Sequence, residues 1–365
     1  MRYYVIAILA ELLTRKKDME NLGFDKEFYT EQENIARVIS EHKERYSVQD
    51  TDGVYSAEIT GNLRFSADGR EDFPAVGDWV EISKFEEDFC IITRILERKT
   101  MLARKAIGEF GDKQIIATNI DFAFIMQAVD RDYNINRIER YVSLVRSGGI
   151  EPIIVLNKID LLEDGELQEI FESIEDRQNN IDVLAVSNLN GNGIDALKEI
   201  MEPSKTYCLV GSSGVGKSTL INTLMGKELL ETMTLSDSTN KGRHTTTRRE
   251  LIILESGAII IDTPGMREVG MADSGSGIEM TFEEIAQLSE NCRFADCCHE
   301  SEPGCAIRQA IENGDLDEAL YENYKKLERE NQHYNATVAE RRKKDKEFGK
   351  MVKGVMKIKK MHKSR

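Results

Sequence analysis

The sequence predicts a multidomain α/β protein, with a small β-barrel first, an α/β domain with a mostly parallel sheet second, and a helical, cysteine-rich domain last. Residues from about 34 to 105 form short β runs separated by turns. From about 115 to 270, buried apolar strands alternate with helical stretches, which is typical of a parallel sheet covered on both faces. After residue 280 the chain is charged and helical around a tight cysteine cluster. A length of 365 residues suffices for two or three such domains.

Composition predicts a soluble protein without a membrane span. The chain is 40% hydrophobic and 31% charged. Its apolar runs are all shorter than the roughly 20 residues that a bilayer requires. The apolar opening, Met1–Leu13, fits either a secretory signal or a short element that packs on the body. It lacks a small-residue cleavage site and precedes charged residues, so we favour the packing element and a cytoplasmic location.

Charge is distributed unevenly along the chain. The net charge is −16, yet the tail from Arg341 to Arg365 has twelve Lys or Arg and two acidic residues, which leaves −26 for the rest. A basic tail on an acidic body is either a solvated segment or a contact for a polyanion such as RNA. Its spacing of Met and Val also fits an amphipathic helix for a membrane or a protein partner.

The first domain is predicted to be a small antiparallel barrel. Its β runs cover residues 35–50, 53–65, 78–85 and 90–97 and include the single tryptophan, Trp79. An OB-type barrel that contacts RNA through the region around Trp79 is one interpretation. A β domain of unassigned use is the other.

A phosphate-binding loop is expected at residues 211–218, which match GxxxxGK[ST] between an apolar strand and a helix. The glycines allow backbone N–H groups to curl around phosphate oxygens, and the following helix contributes the positive end of its dipole. Lys217 is expected to neutralise the β and γ phosphates, and the Ser218 hydroxyl to bind Mg²⁺. The nucleotide-binding residues expected here are Gly211, Ser212, Ser213, Gly214, Val215, Gly216, Lys217, Ser218 and Thr219.

Two later segments are expected to sense the γ-phosphate. Asp262 ends an apolar strand and begins the sequence DTPG, so its carboxylate can reach Mg²⁺ through water while the N–H of Gly265 meets the γ-phosphate. Residues 242–248, GRHTTTR, follow a polar stretch and form a loop able to close over the γ-phosphate. We expect Thr247 to bind Mg²⁺, with Thr246 as the alternative. An ordinary threonine-rich loop is the competing interpretation.

A base-reading motif is expected at NKID, which comprises Asn157, Lys158 and Asp160 and directly follows a buried strand. In this position an Asn meets the Hoogsteen side of guanine, and the Asp accepts hydrogen bonds from the N1 and N2 donors. Adenine would leave the carboxylate unpaired, so the motif selects guanine strongly. Ser187 and Asn188, after another apolar strand, are a weaker match to the loop that supports the base.

These motifs occur in an unusual order. The base-reading motif precedes the phosphate loop, whereas GTPases usually have the reverse order. A sheet tolerates this rearrangement when the old termini lie close together and the new ones fall in a surface loop. The sequence therefore predicts a circularly permuted P-loop GTPase domain, with the next domain attached directly to the nucleotide-sensing loop.

The cysteine cluster predicts a metal site in a reducing compartment. Four of the six cysteines lie between residues 292 and 305, with His299 among them. Three thiolates and one imidazole suit tetrahedral Zn²⁺, and four protein ligands imply a structural site. Spacing alone leaves Cys297 and Cys298 as alternatives beside Cys292 and Cys305. Reduced core cysteines are the competing interpretation.

The chain resembles the ribosome small-subunit-dependent GTPase A family (RsgA, also called YjeQ or YloQ). The resemblance covers about residues 34–330 and rests on the permuted order, GSSGVGKS, GRHTTT, DTPG, the upstream barrel and the downstream Cys/His cluster. It implies an OB-fold, a permuted GTPase domain and a C-terminal helical zinc-binding domain. It favours Cys297 as the fourth zinc ligand. It also implies GTP hydrolysis stimulated by the small ribosomal subunit, and a role in late maturation of that subunit.

The residues and the resemblance together give the expected domains and partners, with the N-terminal extension and the basic tail outside the resemblance. The domains are an N-terminal extension (1–33), the OB-type barrel (34–105), the permuted GTPase domain (106–275), the zinc-binding domain (276–340) and the basic tail (341–365). The expected partners are GTP and GDP, the small ribosomal subunit and its rRNA, without a membrane. We expect a monomer with one structural Zn²⁺ per chain, and Mg²⁺ bound with GTP.

The residue that orients the catalytic water is not the usual one. Many GTPases place a glutamine directly after the DxxG glycine, but this chain has Met266, which cannot polarise water. We therefore expect His244 to orient the water, with Thr247 and Gly265 completing the catalytic group; a contact to RNA or solvent is the other interpretation of His244. Met266 also supports a rival function, a non-catalytic GTP-gated RNA-binding scaffold. An ATP-using P-loop kinase is a further rival, and NKID argues against it.

Overall fold

The computed structural model describes residues 19–26, 28, 34–42, 45–67, 69–105, 113–131, 133–178, 180–226, 249–263, 275–332 and 335. Within these ranges the predicted fold class is confirmed, with a barrel, an α/β domain and a helical domain that contains the Cys/His cluster. None of the helices in these ranges has the length and apolarity that a membrane crossing needs.

The first domain is a five-stranded barrel. Its strands are β1 (Ile35–His42), β2 (Arg45–Gln49), β3 (Val54–Ile59), β4 (Trp79–Lys84) and β5 (Phe89–Ile95). They pair in the order β1-β2-β3-β5-β4, and β4 pairs back with β1 to close the barrel. This is the Greek-key arrangement of an OB-fold. The barrel is not wholly antiparallel, because β3 and β5 run in the same direction.

One finer expectation for the barrel was wrong. Residues Gly61–Ser66 continue a predicted β run but form helix α1, because the Thr60 hydroxyl caps it by accepting a hydrogen bond from the N–H of Leu63 at 3.2 Å. Trp79 is only 1% exposed and packs edge-to-face on Phe24, with ring centroids 4.9 Å apart. It is therefore a core residue, and contact between the barrel and RNA stays a prediction.

A hairpin leads from the barrel into the second domain. It consists of β6 (Met101–Lys105) and β7 (Lys113–Thr118). The expected domain boundary at residue 105 falls between these paired strands. The boundaries as a whole stay predictions.

The second domain is built on a six-stranded sheet. Its strands are β8 (Phe122–Ala128), β9 (Glu151–Asn157), β10 (Asp182–Val186), β11 (Thr206–Val210), β12 (Arg249–Ile253) and β13 (Ile259–Asp262). Its helices are α2 (Ile135–Ser147), α3 (Glu166–Glu175), α4 (Ile194–Glu199) and α5 (Lys217–Met225). The order is β10-β9-β8-β11-β13-β12, and only the β12–β13 pair is antiparallel.

Side chains alternate between the two faces of the sheet along the central strands, which explains why the sheet has a hydrophobic core on each face. Phe124 and Met126 of β8 join one hydrophobic cluster, whereas Ala123 and Ile125 join the other. Because the parallel strands share one direction, their carboxyl ends meet along a single edge of the sheet. Loops at such an edge form the usual ligand site of α/β domains.

The barrel and the second domain share one continuous sheet. β12 pairs with β1 as well as with β13, which joins all eleven of these strands. The fully buried Arg37 of β1 strengthens the junction by donating to Asn119 O at 3.1 Å and to Thr206 Oγ1 at 3.0 Å. The junction is therefore a hydrogen-bonded interface and not a loose linker.

The third domain is helical. Its helices are α6 (Gly275–Thr281), α7 (Glu283–Glu290), α8 (Ala306–Asn313) and α9 (residues 318–332). Ile278, Phe282 and Ile307 belong to its separate hydrophobic core. α6 rests on α2, where Gly277 approaches so closely that a Cβ would lie 2.0 Å from Ser143 O. Helix α2 is thus the platform for the third domain.

Candidate nucleotide site and metal centre

The phosphate loop connects β11 to α5 with a curled backbone. Its glycines have φ angles of 145° at Gly211, 82° at Gly214 and 99° at Gly216, which residues with a Cβ rarely adopt. Gly211 also passes so close to β8 that a Cβ would lie 2.4 Å from Met126 O. The glycines at these positions are therefore required by the backbone path itself.

Lys217 begins α5, and its ammonium reaches back into the loop. It donates to Gly211 O at 2.7 Å and to Ser212 O at 2.6 Å. Ser218 and Thr219 follow in the first turn of the helix and are half-buried. An ammonium and the positive end of a helix dipole thus lie at one loop, the arrangement that favours polyphosphate.

The base-reading residues meet the phosphate loop directly. The amide of Asn157, at the end of β9, donates to Val215 O at 2.7 Å. The amide of Asn188, just after β10, donates to Gly216 O at 3.0 Å. The N–H of Asn188 also donates to Asn157 Oδ1 at 3.3 Å, which links the two asparagines. The permuted chain therefore brings together the segments that the sequence places apart.

The predicted guanine acceptor is held by a serine. The Ser187 hydroxyl donates to Asp160 Oδ1. The Ser187 oxygen in turn accepts from the N–H groups of Leu189 at 3.2 Å and Asn190 at 3.3 Å. Ser187 is fully buried, whereas Asp160 is exposed. A rigid, buried hydroxyl thus orients a carboxylate that remains open to a ligand.

Asp262 lies at the carboxyl end of β13, beside the phosphate-loop strand. Burial raises the pKa of this carboxyl to about 6, and the nearby Lys217 ammonium opposes the rise. The next residue, Thr263, is buried and donates to Leu209 O at 2.7 Å. This bond fixes the end of β13 against β11, so the carboxylate is held close to Lys217.

Apart from Asp262, the predicted residues of the two γ-phosphate segments lie outside the described ranges. They are His244, Thr246, Thr247, Gly265 and Met266. Their roles stay predictions.

Two residues near the site were not expected from the sequence. Asp130 lies 2.8 Å from the Lys158 ammonium, and Lys158 itself has a left-handed backbone with φ 67°. The buried Tyr141 of α2 forms a side-chain hydrogen bond with Ser212 of the phosphate loop. Asp130 follows a buried strand at the edge of the sheet where ligands bind, and this position in the sequence could have identified it as a site residue. Tyr141 falls in the apolar stripe of α2 and resembles any core residue.

The cysteine cluster has the geometry of a tetrahedral metal site. Cys292 Sγ lies 3.5 Å from His299 Nδ1 and 4.0 Å from Cys305 Sγ, which is itself 3.5 Å from the same nitrogen. With Cys297 Sγ, the four ligand atoms all lie within 4.8 Å of one another. Zinc bonds of about 2.3 Å to sulfur and about 2.0 Å to nitrogen separate two sulfurs by about 3.8 Å and sulfur from nitrogen by about 3.5 Å. The donor set therefore fits a metal, with the exposed Cys298 outside it.

Helix α2 ties the metal-binding domain to the nucleotide domain. Its fully buried Glu139 lies 2.9 Å from Arg177 Nε and accepts a hydrogen bond from Asn323 of α9. Burial raises the pKa of Glu139 to about 7, and Arg177 opposes the rise. The neighbouring Arg140 donates twice to Glu330 of α9, at 2.9 and 2.5 Å. Two acidic groups thus hold the domains together.

Comparison with known proteins decides the family. The model of the RsgA GTPase family matches residues 95–272. A Bacteroides thetaiotaomicron protein named small ribosomal subunit biogenesis GTPase RsgA 1 is 44% identical over 326 residues, covering 88% of this chain and 90% of the relative. The chain belongs to the RsgA GTPase family. An Opitutus terrae protein named small ribosomal subunit biogenesis GTPase RsgA is 40% identical and covers 86% of this chain and 89% of the relative.

Solved structures agree with the RsgA assignment. A crystal structure of YjeQ from Thermotoga maritima matches with a TM-score of 0.60 at 27% identity, covering 82% of this chain and 98% of that one. A structure of YloQ, described as a circularly permuted GTPase, also has a TM-score of 0.60 at 24% identity, with coverage of 85% and 98%. The second likeness shows the fold alone. Both confirm the predicted architecture of this RsgA-family chain.

Proposed function

We propose that this chain hydrolyses GTP to GDP and phosphate and acts in the biogenesis of the small ribosomal subunit. One observation carries the chemistry: a carboxylate placed to read a base and an ammonium placed to hold phosphates are joined through Asn157 and Asn188. The names of the relatives carry the biological setting, because each combines GTPase with small ribosomal subunit biogenesis.

Guanine selection is assigned to the pair formed by Asp160 and Ser187. The carboxylate accepts from N1 and N2 of guanine, while the Ser187 hydroxyl occupies one of its remaining lone pairs. The Lys158 ammonium is fixed by its ion pair with Asp130. Adenine nucleotides offer no matching donors, so they bind with an unpaired carboxylate.

Phosphate binding is assigned to the loop at 211–218 and to Lys217. On binding GTP, the Lys217 ammonium exchanges its two carbonyl partners for phosphate oxygens. Ser218 and Thr247 would hold Mg²⁺ directly and Asp262 would hold it through water, and the ion would supply positive charge against the phosphates. Gly265 would donate its N–H to the γ-phosphate.

Hydrolysis is assigned to His244 as the group that orients water, because Met266 stands where a glutamine would act. His244→Ala should lower subunit-stimulated turnover about 100-fold, the usual contribution of general base catalysis, and leave GDP affinity nearly intact. Lys217→Ala is the contrasting variant and should weaken nucleotide binding itself. Unchanged stimulated turnover in His244→Ala would remove His244 from the mechanism.

The metal site is assigned to one structural Zn²⁺ per chain. The donor set of three thiolates and one imidazole is complete, so no position remains for a reacting water. Thiolate ligands require reducing conditions, which agrees with a cytoplasmic location. We further propose that the chain works as a monomer on the rRNA of the subunit.

A multiple-turnover GTPase assay with and without purified small ribosomal subunits tests this function. Slow intrinsic turnover that rises several-fold or more with saturating subunits is expected. Raising the salt concentration should reduce the stimulation, since contacts to RNA phosphates weaken with salt. A non-catalytic scaffold would bind subunits in a GTP-dependent way without any increase in turnover, and that result would overturn the enzymatic proposal.

A further inference from the structure

The seam between the barrel and the nucleotide domain lies very close to the triphosphate side of the site. β1 and β12 pair with Ser40 opposite Glu250 and Glu41 opposite Arg249. On its other edge, β12 pairs with β13 so that Glu250 lies opposite Asp262. Ser40, Glu250 and Asp262 therefore form one row across three strands. With strands about 4.8 Å apart, the barrel residue is only about 10 Å from the backbone of Asp262.

An ion pair locks this seam. Arg249 lies 3.3 Å from the Glu41 carboxylate, and their side chains are only 15% and 33% exposed. The same guanidinium donates to Ile115 O of β7 at 3.2 Å. Arg249 thus holds β12 to the barrel and to the connecting hairpin at once. Because the two residues are direct cross-strand partners, a slip of β12 against β1 would break both contacts.

We propose that Arg249 is a positioning residue through which the barrel controls the triphosphate side of the site. β12 is the only described strand that separates β1 from β13. A change in how the barrel is held therefore reaches Glu250, and through it Asp262, without passing through a loop. The inference rests on the proposed function, because it assigns the route by which a docked small subunit accelerates hydrolysis.

The same route predicts an effect in the opposite direction. GTP and GDP differ on the triphosphate side of the site, and β12 joins that side to β1, so exchanging GDP for GTP should alter the stability of β1 in the barrel. This consequence does not require a ribosome. Nucleotide and protein alone suffice to observe the effect on β1, so this measurement tests the seam independently of the small ribosomal subunit.

The test compares Arg249→Met with Arg94→Met in the full-length chain. Arg94 forms a more exposed cross-strand ion pair with Glu81 of the barrel, with Nε 3.0 Å from the carboxylate and the Arg94 side chain 55% exposed, and the pair lies away from the seam. Basal turnover and GDP affinity are measured first, followed by turnover against subunit concentration. Arg249→Met should keep GDP affinity and half-saturation near the wild-type values and lose up to about 100-fold in maximal stimulation, the cost of misplacing a catalytic group by about 1 Å. Arg94→Met should behave like the wild type.

Amide hydrogen exchange of residues 38–42 provides the second measurement, with GDP and then with a non-hydrolysable GTP analogue and Mg²⁺. Exchange in the wild type should differ between the two nucleotides, and the difference should vanish in Arg249→Met. Glu41→Gln keeps an acceptor for Arg249 and should lose only part of this exchange difference. It replaces Arg249→Met in the test if that variant fails to fold.

Three results would overturn the inference. They are wild-type stimulation in Arg249→Met, an equal fall of basal and stimulated turnover, and identical β1 exchange in both nucleotide states of the wild type. Absence of stimulation in the wild type itself would instead contradict the proposed function, and the exchange measurement would still decide whether the seam couples the two domains.

Discussion

Gly216 is the position where the two halves of the nucleotide site meet, so Gly216→Ala is the sharpest perturbation of their contact. An added Cβ would lie 2.2 Å from the Asn157 amide nitrogen and 2.8 Å from that of Asn188. Both nitrogens must move, which breaks their hydrogen bonds to Val215 O and Gly216 O. The residue also has a φ of 99°, where alanine is strained.

The matched control is Gly165→Ala. Gly165 has a φ of 94° and no atom within 4 Å of an added Cβ, so the substitution imposes the backbone strain alone. That strain costs about 1–2 kcal/mol. Gly216→Ala should add the loss of two hydrogen bonds at about 1 kcal/mol each. GDP binds to the arrangement that these two hydrogen bonds hold in place, so restoring that arrangement on binding costs about the same 2 kcal/mol, which corresponds to roughly 30-fold weaker GDP binding.

Urea unfolding and the Kd of a fluorescent GDP derivative measure the two quantities. Gly165→Ala should lose stability with GDP affinity unchanged, whereas Gly216→Ala should lose both. Equal losses of stability in the two variants, with GDP affinity of Gly216→Ala within about threefold of the wild type, would refute the idea that the asparagines join the base and phosphate sites.

Three further predictions concern the supports of the site. Ser187→Ala should weaken GDP binding by about 10-fold or more, because the lost hydrogen bond is to a carboxylate and such bonds contribute about 1.5–3 kcal/mol. The weak binding of ADP should stay unchanged, and a competition assay that shows equal losses for both nucleotides would contradict the role of Ser187. Chelation should release about one zinc per chain, measured by atomic absorption, and should lower the Tm. Cys305→Ser should likewise lose the metal and have a lower Tm, whereas Cys298→Ser should retain the metal. The pKa of Glu139 is about 7 in the folded protein and about 4.5 in the unfolded chain. The protonated Glu139 side chain therefore contributes its full stabilisation below pH 4.5, and this stabilisation is lost as the pH rises through 7. The difference between these two pKa values is worth roughly 3 kcal/mol, so across this pH range the free energy of unfolding of the wild type should fall by roughly 3 kcal/mol more than that of Glu139→Gln. Parallel pH profiles of the two proteins would show that Glu139 does not titrate there.

The sequence was most informative where chemistry demands specific residues in a local pattern. The phosphate loop at 211–218 and the Cys/His cluster each lie within fourteen residues, so spacing alone predicted a phosphate-binding loop and a metal cluster, although it left Cys297 and Cys298 as alternatives. The strand pattern of the second domain also sufficed, because continuous apolar runs between helices permit few sheets. The helix at Gly61–Ser66 was missed because its cap is a single threonine within a stretch of β-forming residues.

The contacts that join domains could not be predicted from a single sequence. Arg249 pairs with Glu41 across most of the chain, and Glu139 meets Asn323 across a similar separation. Neither pair carries a local pattern, since each residue alone resembles an ordinary charged position on a strand or helix. Such contacts depend on how whole domains pack, which short-range spacing does not encode.

The central claim is that the permuted chain builds a guanine-binding site around Asp160. The preference of the protein among nucleotides with different bases tests this claim most directly. Binding of GDP, ADP and XDP is measured for the wild type and for Asp160→Asn. Xanthine presents a carbonyl where guanine has its amino group, so an Asn amide can pair with it. The wild type should prefer GDP by orders of magnitude over both competitors, and Asp160→Asn should prefer XDP. A variant that still prefers GDP, or a wild type that binds ADP as tightly as GDP, would contradict the account.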